Sequence, residues 1–272
     1  SFNAGDIQAY VGLNDGPGKV VFALLTQVEK QGQLTFTKHT ITTKRDYPFS
    51  MYTADLDNDG DQDIMGVDYT GVFWYENDGV GSFKFDDISP RVYGQRHLQA
   101  ADLDGDGDND IAVATGRYLE AAFGPIWLEN DGQGEFIQHV IPGEIKRVGY
   151  SLSADFNNDL LIDLVVFGSK AVTWIDSANG SVQEGLGESS ITLLENSGDK
   201  SFEVKYYEKL HFPANGDGEA FSVDLDGDND LDVIVASGSR KVLEEENLFP
   251  LSWLRNDLTD GFELIHIDVP GV

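Results

Sequence analysis

Four short segments of this chain carry acidic side chains at alternate positions: ADLDNDGDQDIM at 54–65, ADLDGDGDNDIA at 101–112, ADFNNDLLIDLV at 154–165 and VDLDGDNDLDVI at 223–234. They share the pattern D-x-[DN]-x-D-x-x-x-D. Hard oxygen donors at this spacing let a short loop curl around one cation, and Ca²⁺ accepts about 6–8 oxygens at ~2.3–2.6 Å. The first loop offers the carboxylates of Asp55, Asp57, Asp59 and Asp63, with the backbone carbonyl of Asp61 at the seventh position. The second offers Asp102, Asp104, Asp106 and Asp110, with the carbonyl of Asp108. The third offers Asp155, Asn157, Asp159 and Asp163, with the carbonyl of Leu161, and the fourth Asp224, Asp226, Asp228 and Asp232, with that of Asp230. Three or four structural calcium ions are the expectation.

The sixth position of such a loop favours a positive φ, which glycine adopts without steric cost. Gly60 and Gly107 meet that need, and Asn229 is a tolerated substitute. The third loop has Leu160 there and only three carboxylates, so it is expected to be the weakest site. An EF-hand begins the same way but ends on a bidentate Glu at position 12 followed by a helix. Here position 12 is Gly66, Val113, Val166 or Val235, and apolar or β-branched residues surround it. These loops are not EF-hands.

The elements that must hold the loops repeat with them. Each is followed by a second shared segment: FWYENDGVGSF (73–83), IWLENDGQGEF (126–136), TLLENSGDKSF (192–202) and SWLRNDLTDGF (252–262). Trp74, Trp127, Leu193 and Trp253 each precede a phenylalanine by nine residues. Each unit reads as four strands. In the first full unit, A runs into the acidic loop (Ser50–Leu56), B leaves it (Ile64–Asp68), C carries the Trp, and D (Ser82–Ile88) follows an Asn-Asp-Gly turn of the kind that marks hairpins. The loops begin at Asp55, Asp102, Asp155 and Asp224, a spacing of roughly 50 residues that is typical of propeller blades. The longer third interval is assigned to an insertion around Ser177–Ser189, rich in Gly and Ser and read as a loop. Ahead of the four units, Asp6–Val11, Val20–Thr26 and Leu34–Ile41 read as strands B, C and D of a unit without strand A.

Loops and hairpins together resemble the FG-GAP/VCBS repeats of β-propellers such as those of integrin α-chains, over nearly the whole chain. The resemblance implies an all-β propeller of four-stranded antiparallel blades, with about five blade repeats in one domain over 1–272: 1–43, 44–90, 91–142, 143–212 and 213–272. It also implies a binding role, with calcium loops (A–B) on one face and ligands docking on the D–A and B–C loops of the other. The ring either closes with five blades or takes residues from outside this chain. The chain opens on Ser1 without a leader-like segment, so a mature form or a piece of a longer protein is expected.

Composition narrows the partners. With 48 acidic and 18 basic residues the formal charge is -30, which repels phosphate backbones and anionic lipid surfaces. Fifteen carboxylates belong to the four loops, so much of this charge is an ion cage. There is no cysteine, which excludes disulfides and thiolate chemistry, and no apolar run approaches the ~18 residues that span a bilayer. Calcium loops without disulfides suit a calcium-rich setting, so a secreted or cell-surface location is expected.

The scarce positive charge is unevenly placed. Lys44, Arg45, Arg91, Arg96, Lys146 and Arg147 fall in the D–A connections, and Arg117, Lys170, Arg240 and Lys241 in the B–C connections. Guanidinium forks pair with carboxylate or sulfate, and aromatic faces such as Tyr93 stack on sugars or peptides. Arg45, Arg91, Tyr93, Arg96, Arg117, Arg147 and Arg240 therefore form a candidate site for an anionic glycan or an acidic protein patch. The alternative is that these arginines balance neighbouring acids such as Asp46, Glu120 and Glu144. His39 and His139 occupy one repeat position, and the repeated tryptophans suit packing between blades. The functional expectation is an extracellular binding or adhesion propeller for a glycan or protein, with other domains of a longer parent chain as further partners. Its rivals are a polysaccharide lyase using Arg91, Tyr93, Arg96 and His97, or its accessory domain, and a structural module of a large secreted protein.

Overall fold

A computed structural model describes residues 8–14, 20–30, 33–42, 48–88, 95–115, 124–141, 145–175, 181–209, 218–237, 251–258 and 261–267. Among them there is no helix; the protein is an all-β propeller of antiparallel sheets. The first sheet has three strands, β1 (Gln8–Asn14), β2 (Val20–Lys30) and β3 (Gln33–Thr42). Four sheets of four strands follow. The second holds β4 (Ser50–Ala54), β5 (Asp63–Val67), β6 (Val72–Asn77) and β7 (Phe83–Asp87). The third holds β8 (Gln95–Ala101), β9 (Asp110–Thr115), β10 (Ile126–Asn130) and β11 (Phe136–Val140). The fourth is β12 (Ile145–Ala154), β13 (Asp163–Ile175), β14 (Val182–Asn196) and β15 (Phe202–Lys209); the fifth is β16 (Gly218–Val223), β17 (Asp232–Ser237), β18 (Leu251–Asp257) and β19 (Gly261–Ile267).

Each four-stranded sheet is a simple meander, and the first strands lie side by side, β4 by β8, β8 by β12 and β12 by β16. Polar contacts tie them. The Gln99 side-chain oxygen accepts from Ser153 N (2.7 Å) and Oγ (3.1 Å), and the Tyr150 hydroxyl donates to the Ala220 carbonyl (3.2 Å).

Alternate residues of a strand face opposite sides, and here both sides are covered. Ile111 and Val113 of β9 share a core with Leu56, Met65, Val67 and Trp74 of the second sheet. Ala112 and Ala114 of the same strand join Leu164, Val166 and Phe202 of the fourth. All residues of β5 and β9 are buried, so these strands appear in sequence as continuous apolar runs. The Trp/Phe pairs interlock neighbouring sheets: Trp74 meets Phe136 edge-on at 6.3 Å, and Trp127 shares a core with Phe202. A Cβ added to Gly134 would lie 2.6 Å from the Trp74 ring, which makes glycine necessary there. Ile41 of β3 packs on Ile64, Phe73 and Tyr75, setting the first sheet against the second.

The fifth sheet differs. Leu225 is 48% exposed, whereas its counterparts Leu56, Leu103 and Phe156 are at most 2% exposed, and Phe221 and Val223 beside it are also exposed.

One expectation is corrected. Most of Ser177–Ser189 is not loop: Val182–Ser189 lies in β14, paired with Ala171–Ile175 and Ser169 of β13. The Gly and Ser content suggests a loop, but backbone pairing to the β-branched partner segment extends the hairpin instead.

Candidate metal centre

All four acidic loops share one hydrogen-bond scheme, built from the ninth residue upward. Asp63, Asp110, Asp163 and Asp232 are fully buried. One carboxylate oxygen of each accepts from the backbone N–H at the loop's second position: Leu56 (3.1 Å), Leu103 (2.8 Å), Phe156 (3.1 Å) and Leu225 (3.0 Å). The other accepts from the backbone N–H of an asparagine at the end of strand C: Asn77 (2.7 Å), Asn130 (2.8 Å), Asn196 (2.9 Å) and Asn256 (2.7 Å).

The first residue closes the turn. Asp55, Asp102, Asp155 and Asp224 accept from the N–H at position six: Gly60 (3.0 Å), Gly107 (3.1 Å), Leu160 (2.9 Å) and Asn229 (3.2 Å). That closure requires a positive φ at position six, observed as 94°, 99°, 74° and 74°. Leu160 adopts it although a branched apolar residue disfavours it, and its side chain is 90% exposed. Position four also has positive φ in every loop, at Asn58, Gly105, Asn158 and Gly227.

These turns gather carboxylates. In loops one, two and four, one oxygen from each of three residues lies within 4.8 Å of the other two: Asp55, Asp57 and Asp63; Asp102, Asp104 and Asp110; Asp224, Asp226 and Asp228. Two oxygens bound ~2.4 Å from one ion can be no more than ~4.8 Å apart, so the spacing fits a calcium-sized cation. Asp59, Asp106 and Asp232 lie outside these groups; Asp59 and Asp106 accept from the N–H of Asp61 (2.9 Å) and Asp108 (3.0 Å). Among the described residues loop three forms no such group, and Asn157 there donates its amide to Asp159 (2.9 Å). The side chains of Asp61 and Asp108 turn away onto Gly79 and Gly132, where an added Cβ would sit 2.0 and 2.3 Å from a carboxylate oxygen.

Electrostatics point the same way. Burial pushes Asp63 up to about 6, Asp110 to about 7 and Asp163 to about 6, even though each accepts two backbone N–H bonds. Burial and the neighbouring Asp59 raise Asp57 as well. The rise at the ninth position reflects burial and is as strong in loop three as in loop one; a cation beside any of these carboxyls would offset it and restore the charge. The all-oxygen donor set suits a hard ion such as calcium rather than zinc.

Residues 55–113, which contain loops one and two and the hairpin between them, match the family described as FG-GAP-like repeat. This segment is similar to an FG-GAP-like repeat. The third, fourth and fifth sheets repeat the bonds of its buried ninth-position Asp, its position-six closure and its strand C asparagine N–H. No curated protein matches the chain. Among solved structures, one on the recognition of non-reducing terminal N-acetylglucosamine by an Agrocybe aegerita lectin matches at 17% identity and a TM-score of 0.42, over 96% of this chain and 79% of that one. A likeness that loose bears on neither fold nor ligand, and the sugar specificity is the lectin's own.

The repeats contain a device that the loop pattern does not reveal. The Asn130 amide donates to the Asn109 carbonyl (3.0 Å) in its own sheet and to the Leu56 carbonyl (2.7 Å) in the preceding one. Asn196 does the same toward Ile162 (3.0 Å) and Leu103 (2.8 Å), and Asn256 toward Leu231 (3.2 Å) and Phe156 (2.7 Å). Each asparagine therefore orients the buried Asp of its own loop and pins the loop of the sheet before it. The signal was present in sequence: asparagine stands six residues before the strand D phenylalanine in all four units.

Of the candidate ligand face, Arg45, Arg91, Tyr93, Arg117 and Arg240 lie outside the described residues. Arg96 and Arg147 are described in backbone only; they fall within β8 and β12, at register shifts, rather than in connecting loops. His97 is also in β8, stacked on Tyr150 at 3.8 Å, and burial pushes it down to about 4. His139 pairs with Glu129 (2.6 Å) and stacks on Trp127, the structural role its repeat position implied.

Proposed function

We propose that this FG-GAP-like repeat propeller is a calcium-stabilised binding module of the extracellular space, recognising a glycan or a protein through the loops opposite its acidic loops. The observation that carries the calcium reading is the convergence of three carboxylate oxygens within 4.8 Å in each of loops one, two and four. Asp55, Asp57 and Asp63, Asp102, Asp104 and Asp110, and Asp224, Asp226 and Asp228 would hold the ions, with Asp59, Asp106 and Asp232 and the carbonyls of Asp61, Asp108 and Asp230 completing the shells. Loop three would bind last, through Asp155, Asn157, Asp159, Asp163 and the carbonyl of Leu161. Calcium would supply cross-links between oxygens of a turn that otherwise repel one another.

The binding reading is supported by the repeat family and by the charge distribution, since six of seven arginines fall outside the acidic loops and hairpins. In a chain of charge -30, these arginines would select an anionic ligand if they converge on one face. A glycan array probed with and without calcium tests this. Calcium-dependent retention of uronic or sulfated glycans supports the reading, whereas no retention of any glycan or acidic peptide argues for a spacer. Release of unsaturated products from uronic-acid polymers would favour a lyase.

A further inference from the structure

The turn between β14 and β15 places a lysine where the neighbouring turns have none. Two residues before the strand D phenylalanine stand Gly81, Gly134 and Asp260, but Lys200 in the fourth sheet. Lys200 adopts φ 57° and reaches into the third sheet. Its ammonium lies 3.0 Å from Asp104 and 2.7 Å from Glu129. The Asp104 side chain is only 2% exposed. Glu129 is held on its other oxygen by His139 (2.6 Å), whose ring stacks on Trp127 at 4.5 Å. Among the described residues, Lys200 is the one cation paired with a carboxylate of any of the four loops.

We infer that Lys200 is a built-in counter-cation of loop two, which makes that loop bind calcium more weakly than loops one and four and ties its filling to the junction between the third and fourth sheets. The inference rests on the calcium reading above. Asp104 is one of the three convergent carboxylates of loop two, and the ammonium already neutralises it. A divalent ion arriving there meets a positive charge a few ångströms away, and the repulsion is only partly screened because Asp104 is buried. Glu129 keeps Lys200 at the junction even when Asp104 turns to an ion, so the lysine raises the cost of filling the loop without being expelled. Loop four has no such neighbour among the described residues, and in loop one Lys84 is near enough to feel the charge of Asp57 but is paired with Glu76 (2.6 Å) rather than with a loop carboxylate, although both carboxylate sets are as large.

The test is calorimetric titration of calcium into the full chain and into Lys200→Met and Lys200→Gly, the latter matching the two glycine turns and suiting the positive φ. Circular dichroism of each variant checks that the fold is kept. The expected result is that one class of site tightens by about tenfold while the others stay unchanged. The gain should vanish in the Asp104→Asn background. Calcium bound by wild type and variants with identical affinities would overturn the inference and leave the calcium reading intact. A weakened site in both variants would also overturn it, making Lys200 a clamp that builds the loop. Calcium bound at no loop in any of these proteins would instead overturn the calcium reading itself.

Discussion

Replacing Asn130 by Ala removes a side chain that works in two sheets at once. Asn130 is buried, donates to the carbonyls of Leu56 and Asn109, and accepts from Gly132 N (3.1 Å). Alanine leaves two interior carbonyls and one turn N–H without a partner. Each buried group left unsatisfied costs about 1–3 kcal/mol, and the turn N–H, nearer to solvent, costs less. The expected destabilisation is about 3–5 kcal/mol, on the order of 10 °C in melting temperature for a domain of this size. Asn130→Asp should be no better, because a carboxylate cannot donate and would sit near Asp110. Asn77→Ala is the internal comparison: the amide partner described for Asn77 is the Gln62 carbonyl (3.0 Å) of its own sheet, so its loss should cost about half as much. Thermal melts in chelator and in calcium measure both. An Asn130→Ala protein within about 0.5 kcal/mol of wild type would refute the claim that these asparagines staple the sheets.

Three further outcomes follow from the same geometry. Excess chelator should lower the melting temperature, because an ion that binds only the folded form stabilises it by about 2.7 kcal/mol per site at a hundredfold excess over Kd; Asp106→Ala should reduce this calcium gain more than Asn157→Ala, and equal effects would contradict the ranking of the loops. Gly132→Ala should destabilise by about 1–3 kcal/mol, read by denaturant titration, because its φ is 70° and the new Cβ would strike Asp108. Binding of a sulfated or uronic glycan should fall steeply with salt and on Arg96→Ala or Arg147→Ala; salt-independent binding, read by surface plasmon resonance, would remove the anion-site reading.

Much of the fold was legible because each repeat states its register twice, once in the acidic loop and once in the Trp/Phe hairpin. Strand B was placed by its apolar residues directly after each acidic loop; that β9 is covered by a core on each face is shown by the structure. The position-six backbone was equally readable, since a closing hydrogen bond to the first Asp forces the positive φ whatever the residue, Leu160 included. Other features were hidden because their partners are distant in sequence. The Asn130 amide finds Leu56 74 residues away, and Lys200 finds Asp104 across a sheet boundary. The asparagine recurs at one place in every repeat, but that recurrence does not name its distant partner, and the Lys200 contact has no local pattern at all. The insertion was misjudged for the opposite reason: local composition at Ser177–Ser189 argued for a loop, while pairing with β13 decided otherwise.

The account stands or falls on the ions. A crystal structure grown in millimolar calcium, with anomalous scattering recorded at a wavelength where calcium contributes, tests it most directly. The prediction is anomalous peaks in loops one, two and four, each surrounded by about 6–8 oxygens at ~2.3–2.6 Å including the convergent carboxylates, with loop three the weakest. Loops one and two empty under those conditions, or filled by octahedral ions at ~2.1 Å, would contradict it.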